Sequence, residues 1–316
     1  MSVDVVIAGM WGTTTLRALL LVRDTKTGGA AVTAVRKGPG GSRVSSGEFE
    51  NMFFSLVGDW VEAHPDAPIV LAGMVGSNIG WRDVGYVGCP IAVADIGRAE
   101  RFTARGRSIR IVKGLACTNV CAEPDVMRGE ETEIAGWLAM RPDARSGERL
   151  ACVPGTHAKW VRLKDGVITD FLTSVSGEMF AGLSAGGVLV PADSAPPDTP
   201  DGNFVEGVRA AARDDASLLH QLFSVRARRV TEQDDDAAAA QRLSGLIIGG
   251  DAVGALALLG RSENGIPVTV IGARSVAGRY ATALGEFGVE SEVVDAEAAS
   301  AAGLWNIAMG IAEFGP

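Results

Sequence analysis

Histidine and cysteine are scarce in this chain, and neither is spaced to hold a metal. The three histidines lie far apart in sequence. Of the four cysteines, Cys89, Cys117, Cys121 and Cys152, none forms a C-x-x-C pair, and the close pair Cys117/Cys121 has no histidine nearby. That excludes a zinc ribbon or finger and reads as reduced thiols of a cytoplasmic protein. Runs of Lys and Arg are missing, and the formal net charge is −9 with a pI near 5.0. A nucleic-acid partner is therefore not expected. No apolar run approaches the ~18 residues that would cross a bilayer. The opening "MSVDVVIAG" enters a strand with no charged segment ahead of it, so neither a secretory leader nor a membrane partner is expected. One further absence matters more. A strand–turn–strand with Gly and Thr at its tip is one way to cradle the phosphates of ATP, and such loops usually place a carboxylate at the end of the first strand. Here that place holds Met10.

What is present suits a large α/β protein. Apolar residues make up 47% of 316 and glycine contributes 41, enough for a sizeable core and roughly two domains. Residues 3–9, 15–23 and 30–36 read as strands, and 47–64 as an amphipathic helix with Phe49, Met52, Phe53, Leu56, Val57, Trp60 and Val61 on one face. Strands follow at 68–74 and 107–115, then a helix from Glu130 to Met140. At 149–174 the pattern restarts as strand, Gly-Thr turn, strand, Asp-Gly turn, strand. Helices at about 176–188, 204–222 and 237–259 come next, then strand, helix, strand and a helix over 300–314. Each half opens with an antiparallel three-strand unit, which points to duplication, with domains at 1–145 and 146–316. The Pro/Asp-rich stretch 191–203 reads as a surface loop, and the acids at 231–236 as a helix start favoured by the dipole.

Several stretches could carry chemistry. Backbone N–H groups and hydroxyls at Gly12, Thr13 and Thr14, and again at Gly155, Thr156 and His157, suit phosphate oxygens. Taken singly, each tip reads equally as an ordinary hairpin. Lys159 could reach a phosphate or simply be a strand cation. "VLAGMVGSNIGW" runs off a buried strand into Ser77, Asn78 and Trp81, which offer hydrogen bonds and a flat wall to a polyol; a plain Gly-rich connection fits as well. Arg128 precedes a helix that begins with Glu130 and Glu131, either a general base beside a cleft or acids stabilising the helix start. Gly272 and Ala273 join a strand to a helix, a turn that can underlie an adenine ring.

In order along the chain, "WGTTTLRA", "AGMVGSNIGW", "DVMRGEETE", "PGTHAKWV", "DFLTSVSGE", "QLFSVRA", "LSGLIIGG" and the Gly272 turn resemble the 2-dehydro-3-deoxygalactonokinase family of the sugar kinase/Hsp70/actin superfamily, from about residue 3 to residue 311. The resemblance implies a two-domain actin-like ATPase (ribonuclease H-like) fold, a duplicated βββαβαβα core closing over ATP and Mg²⁺ in an interdomain cleft. It implies phosphorylation of 2-dehydro-3-deoxy-D-galactonate on its 6-hydroxyl in galactonate catabolism, with a homodimer as one possible assembly. By analogy Gly12–Thr14 and Gly155–Thr156 are the phosphate hairpins and Gly272-Ala273 lies in the adenosine motif, although "GARS" departs from the usual continuation.

Glycerol-kinase-like relatives place Gly-Asp at a helix start some twenty-odd residues before their second Gly-Thr turn. Gly129-Glu130 stands at a similar distance from Gly155-Thr156, so Glu130 is preferred over Glu131 as base. Family members typically read Asp-Trp-Gly where this chain reads Met10-Trp11-Gly12. A thioether is a poor ligand for Mg²⁺. Three outcomes stay open: a slow kinase whose metal rides on the nucleotide, another acid such as Asp251 or Asp170 in its place, or a silent binder of sugar acid or nucleotide. A kinase for a related acid, such as 2-dehydro-3-deoxygluconate, is a further alternative.

Overall fold

The computed structural model describes residues 4–310 apart from 98, 193, 214–216 and 260–264. The first half runs β1 (Val5–Trp11), β2 (Thr15–Arg23), β3 (Ala30–Pro39), α1 (Phe49–Ala63), β4 (Ile69–Gly73), β5 (Tyr86–Gly88), β6 (Ile91–Ala92), β7 (Ala99–Ala104), β8 (Arg107–Val112), β9 (Gly114–Thr118), β10 (Pro124–Met127) and α2 (Glu130–Met140). The second runs β11 (Glu148–Val153), β12 (Ala158–Lys164), β13 (Val167–Ser174), α3 (Ser176–Ala185), α4 (Gly202–Ala211), α5 (Leu218–Val230), α6 (Asp236–Leu259), β14 (Val268–Gly272), α7 (Arg274–Glu286), β15 (Ser291–Asp295) and α8 (Ala296–Met309).

The two large sheets repeat one topology. The first has the order β3-β2-β1-β4-β8-β7 and the second β15-β14-β11-β12-β13-β6. In each, an antiparallel meander of three strands is extended from its first strand by parallel partners: β4 beside β1, then β8, and β14 beside β11, then β15. This is the duplicated two-domain actin-like, ribonuclease H-like core. The first half departs from the expected βββαβαβα pattern, because β5, β6 and β7 occupy the β4-to-β8 crossover where a helix was expected. A third, three-stranded sheet has the order β10-β9-β5. It ties the halves together through Asp125, whose carboxylate accepts from the Thr173 N–H at 2.8 Å and from its hydroxyl at 2.5 Å.

Alternation along β1 sorts its side chains onto two faces. Ile7 and Trp11 join Phe49, Phe53 and Val57 of α1 in one core. Val6, Ala8 and Met10 point into the other, with Ile134 and Trp137 of α2 and Leu304 and Trp305 of α8. The last helix therefore returns to the first half, and its carbonyls at Ile307 and Ala308 accept from Arg110.

Two further sequence expectations change, and parts of two others fall beyond what the structure describes. The helix expected over 204–222 is two, α4 and α5, with Ser217 in extended geometry starting the second. The strand expected over 107–115 is β8 and β9, in different sheets. Residues 311–314 of the last expected helix, and residue 3 of the first strand, lie outside the described residues. In addition, the 24-residue α6 is long and apolar enough, on length and composition alone, to cross a membrane. It is a core helix of the second half: Leu243, Leu246, Ala252 and Leu256 are buried inside the protein, and it carries the buried polar residues Gln241 and Arg242.

Candidate active site

The two Gly-Thr tips are held in the same way. At the first, the carbonyls of Gly12, Thr13 and Thr14 accept from the N–H groups of Gly41, Ser42 and Gly40 at 2.9–3.1 Å, and the Ser42 hydroxyl also donates to Thr13. Within a trans peptide the C=O and the following N–H point in opposite directions. Carbonyls turned onto the 40–42 segment therefore turn the N–H groups of Thr13 and Thr14 away from it, and among the described residues these two have no acceptor. At the second tip, Thr156 C=O accepts from Glu178 N–H at 2.9 Å, and the N–H groups of Gly155, Thr156 and His157 have no acceptor among the described residues. Each tip rests on a glycine. A Cβ on Gly40 would stand 2.2 Å from Thr14 C, and one on Gly177 2.2 Å from Gly155 O. Five unspent backbone donors in two such nests are suited to phosphate oxygens.

Glu130 begins α2, next to a glycine that faces Met10 and Gly73, and is within electrostatic reach of Lys159 and His157 at the second tip. Its Oε2 accepts from the Arg128 N–H at 3.0 Å, which fixes the carboxylate at the start of α2. Gly129, immediately before it, packs on Met10 at the end of β1. Burial pushes the Glu130 carboxyl above the ordinary range, and Lys159 and His157 of the second half pull it back. The duplicated halves thus bring Glu130 within electrostatic reach of Lys159 and His157. Glu131 is different in kind. It is fully buried, with Oε2 taking the Gly129 N–H at 2.6 Å and Oε1 the Thr132 hydroxyl at 3.1 Å. Burial, then the neighbouring Glu130, push its carboxyl up to about 8. Its oxygens are occupied in holding the helix start.

The Lys159 side chain is buried and makes no hydrogen bond or ion pair among the described residues. The His157 ring lies 2.6 Å from Glu178 Oε2, so its side chain is engaged and its backbone N–H is what faces outward. The Arg128 guanidinium stacks on Tyr86, 4.3 Å from the ring centre, and its Nη2 donates to Gly85 O at 3.1 Å. Its Nε and Nη1 are buried with no acceptor, an unspent capacity that an anion would satisfy. Ser77 is buried and donates its hydroxyl to Met74 O at 2.7 Å, whereas Asn78 is exposed. Trp81 does not offer its ring as a free wall. Phe102, Phe53 and Phe54 surround it at 5.3, 6.0 and 6.3 Å on the α1 side of the sheet, so it backs the loop rather than facing a ligand.

A cavity of about 340 Å³ opens beside the second tip, lined by Gly155, Ser176, Ile247, Ala273, Val276 and Tyr280 among others. Ala273, in extended geometry, starts α7 at its wall, and Gly272 brings the end of β14 against Pro154. Ser176, Ile247 and Tyr280 were not singled out from sequence. The available signal was a lone Asp251 in the apolar run of α6, which pointed to a buried polar network there.

The donor set does not fit a protein-held Mg²⁺. Among the described residues no group of three or more His, Cys, Asp or Glu is placed to hold a metal. The strand-end position is the Met10 thioether. Asp251 spends its oxygens on Trp160 and Tyr280, and Asp170 is paired with Arg162, its Oδ1 3.0 Å from Nε. Neither substitutes for the missing carboxylate.

Comparison with known proteins agrees with this geometry. The family model for 2-keto-3-deoxy-galactonokinase matches residues 10–307. A Rhizobium meliloti protein named "Probable 2-dehydro-3-deoxygalactonokinase" is 34% identical over 93% of this chain and 93% of its own length. The 2-dehydro-3-deoxygalactonokinase of Escherichia coli is 31% identical over 96% of this chain and 97% of its own. The crystal structure of a Sinorhizobium meliloti protein that bears the same name in provisional form superposes with a TM-score of 0.82 at 32% identity, covering 97% of this chain and 99% of that one. With the fold and its paired tips, these matches show that the chain belongs to the 2-keto-3-deoxy-galactonokinase family.

Proposed function

We propose that this protein transfers the γ-phosphoryl group of ATP to the 6-hydroxyl of 2-dehydro-3-deoxy-D-galactonate, as a cytoplasmic enzyme of galactonate catabolism. The observation that carries this is the meeting of Glu130, from the first half, with Lys159 and His157 at the second tip. Glu130 takes the proton of the attacking hydroxyl. The N–H groups of Thr13, Thr14, Gly155, Thr156 and His157, with Lys159, hold phosphate oxygens where negative charge develops. Gly12 is the turn of the first tip, Ala273 lines the nucleoside cavity, and Gly272 sets the end of β14 against Pro154 beside it. Arg128 receives the substrate carboxylate, with Ser77 and Asn78 at its hydroxyls and Trp81 supporting that loop. No step is assigned to a protein-bound metal. Mg²⁺ would be carried by the nucleotide, where it would neutralise phosphate charge.

A second reading follows from Met10. A chain that has lost its strand-end carboxylate can persist as a sensor that binds sugar acid or nucleotide without turnover. ADP release measured with 2-dehydro-3-deoxy-D-galactonate and 2-dehydro-3-deoxy-D-gluconate separates the readings. Release with the galactonate acid supports the proposal. Release with the gluconate acid alone reassigns the substrate. Binding of either ligand with no release establishes the sensor.

A further inference from the structure

Behind the nucleoside cavity lies a chain of buried hydrogen bonds that the reaction above does not use. Asp251 on α6 accepts from Trp160 Nε1 at 2.9 Å with one oxygen and from the Tyr280 hydroxyl at 2.5 Å with the other. Tyr280 Oη lies 2.9 Å from Ser176 Oγ. Tyr280 and Ser176 are 2% and 6% exposed, and both line the cavity. The network joins β12, α3, α6 and α7, and the last three line the cavity.

Donor bookkeeping gives the chain a direction. A phenol has one proton, and that of Tyr280 is committed to the Asp251 carboxylate. Tyr280 Oη can then only accept, so the Ser176 proton points inward to it. Ser176 also stands near enough to Asp251 to help hold that carboxyl down against burial, which again directs its proton inward. What Ser176 Oγ presents to the cavity is lone pairs alone. A hydroxyl fixed as an acceptor gains nothing from a phosphate oxygen and needs a donor. Ser176 directly precedes Gly177, on which the second phosphate tip rests, so it lies just inward of the phosphates. The first donors a nucleotide carries inward of its phosphates are the ribose hydroxyls.

We propose that Ser176 Oγ accepts a hydrogen bond from a ribose hydroxyl of the nucleotide, and that Asp251, acting through Tyr280, is the positioning residue that fixes it as an acceptor. This inference rests on the nucleotide reading of the cavity. It makes the site selective for ribonucleotides over their deoxy counterparts.

Affinities of the intact protein for ATP, 2′-deoxy-ATP and 3′-deoxy-ATP test it by calorimetry, with Ser176→Ala, Tyr280→Phe and Asp251→Asn beside the wild type. The wild type is expected to bind ATP about five- to tenfold more tightly than one of the two analogues, the scale of one hydrogen bond. Ser176→Ala should bring that ratio within about twofold. Tyr280→Phe should reduce it, because the serine loses its 2.9 Å acceptor and only Asp251 is left to draw its proton inward. Asp251→Asn should reduce it as well, since an amide N–H directed at Tyr280 reverses the chain. Sugar-acid affinity should hold in all three. A residue that served packing alone would leave the ratio unchanged. If the wild type binds all three nucleotides alike, or Ser176→Ala keeps the full ratio, the ribose contact is wrong. A full ratio in both Tyr280→Phe and Asp251→Asn overturns the positioning role. A wild type that binds none of the three overturns the nucleotide reading itself, and this inference with it. Ser176→Ala removes one oxygen, so the question stays answerable if Asp251→Asn fails to fold.

Discussion

Met10 closes against Gly129: its Cε lies 3.6 Å from the place a Cβ on that glycine would take. The residue that replaces the expected metal carboxylate therefore touches the start of the helix that carries the proposed base. It is 8% exposed and belongs to the core between β1, α2 and α8.

Met10→Asp should fold. In the β1–β2 ladder Met10 stands directly opposite Arg17, and such cross-strand neighbours share a face. Arg17 donates to Glu297 at 3.0 Å and lies 4.0 Å from Glu133 Oε1, so a guanidinium is at hand for a new carboxylate. A hard oxygen at this point also suits Mg²⁺ brought in on ATP. ADP release at saturating sugar acid should rise, with a steeper dependence on Mg²⁺. A stable variant, by thermal melt, with no gain in release would show that the lost carboxylate is not what limits this chain.

The parts legible in the sequence were those written in local periodicity. The continuous apolar runs of β1, β4, β11 and β14 and the 3.6-residue stripe of α1 marked out the repeated core, and the Gly-Thr tips its turns. The linking sheet was not legible, because β5, β9 and β10 hold three to five residues each and β5 pairs with β9 across the intervening β6, β7 and β8. The split of α4 from α5 was missed because both flanks keep helical periodicity. Side-chain availability was the harder limit. Glu130 and Glu131 are adjacent and chemically identical, yet one looks across at Lys159 and the other is locked on Gly129 and Thr132. Trp81 looks like a sugar wall until Phe53, Phe54 and Phe102 close around it.

Arg128→Ala should weaken binding of the sugar acid by about 1.5–3 kcal/mol, the scale of a hydrogen bond to a charged group. ATP affinity should stay as it is, since Arg128 belongs to the first half beside Tyr86 and Gly85. Titration calorimetry with each ligand separately decides this. Unchanged sugar-acid affinity would return the buried guanidinium to a purely structural role.

Thermal stability should fall as pH rises from about 5 to about 8. Glu133 takes the Ser300 hydroxyl at 3.1 Å, and burial, with Glu130 next, raises its carboxyl from 4.5 to about 8; Glu131 is raised to about 8 as well. Both groups are neutral when folded and ionised when unfolded across that window. Folding must then take up protons, and each raised carboxyl removes about 1.4 kcal/mol per pH unit until its folded value is passed. Their contribution is fully present below pH 4.5 and lost above about 8. Glu133→Gln keeps an acceptor for Ser300 without a titrating group. It should flatten the decline and melt higher than wild type at pH 8. An identical slope in the two proteins would show that Glu133 is ionised in the fold.

Glu130→Gln should lower kcat by roughly 10²–10⁴-fold, the usual range for loss of a general base, with both substrates still bound. Glu131→Gln should lower it less, because the Glu131 oxygens are occupied by Gly129 and Thr132 and have no path to a substrate hydroxyl. The pH profile adds a check that depends on the second half of the molecule. A base works only when deprotonated, so the acidic limb of kcat/KM follows the Glu130 carboxyl. Burial raises that carboxyl and Lys159 is the largest influence lowering it. Replacing Lys159 with Met removes the cation and keeps the aliphatic stem in its buried place. The acidic limb should move to higher pH, on top of whatever phosphate binding is lost. If Lys159→Met lowers the rate but leaves the limb where it was, the titrating base is not Glu130. If Glu131→Gln proves the more damaging of the two glutamate variants, the proton passes to Glu131 and the start of α2 must open to release its oxygens.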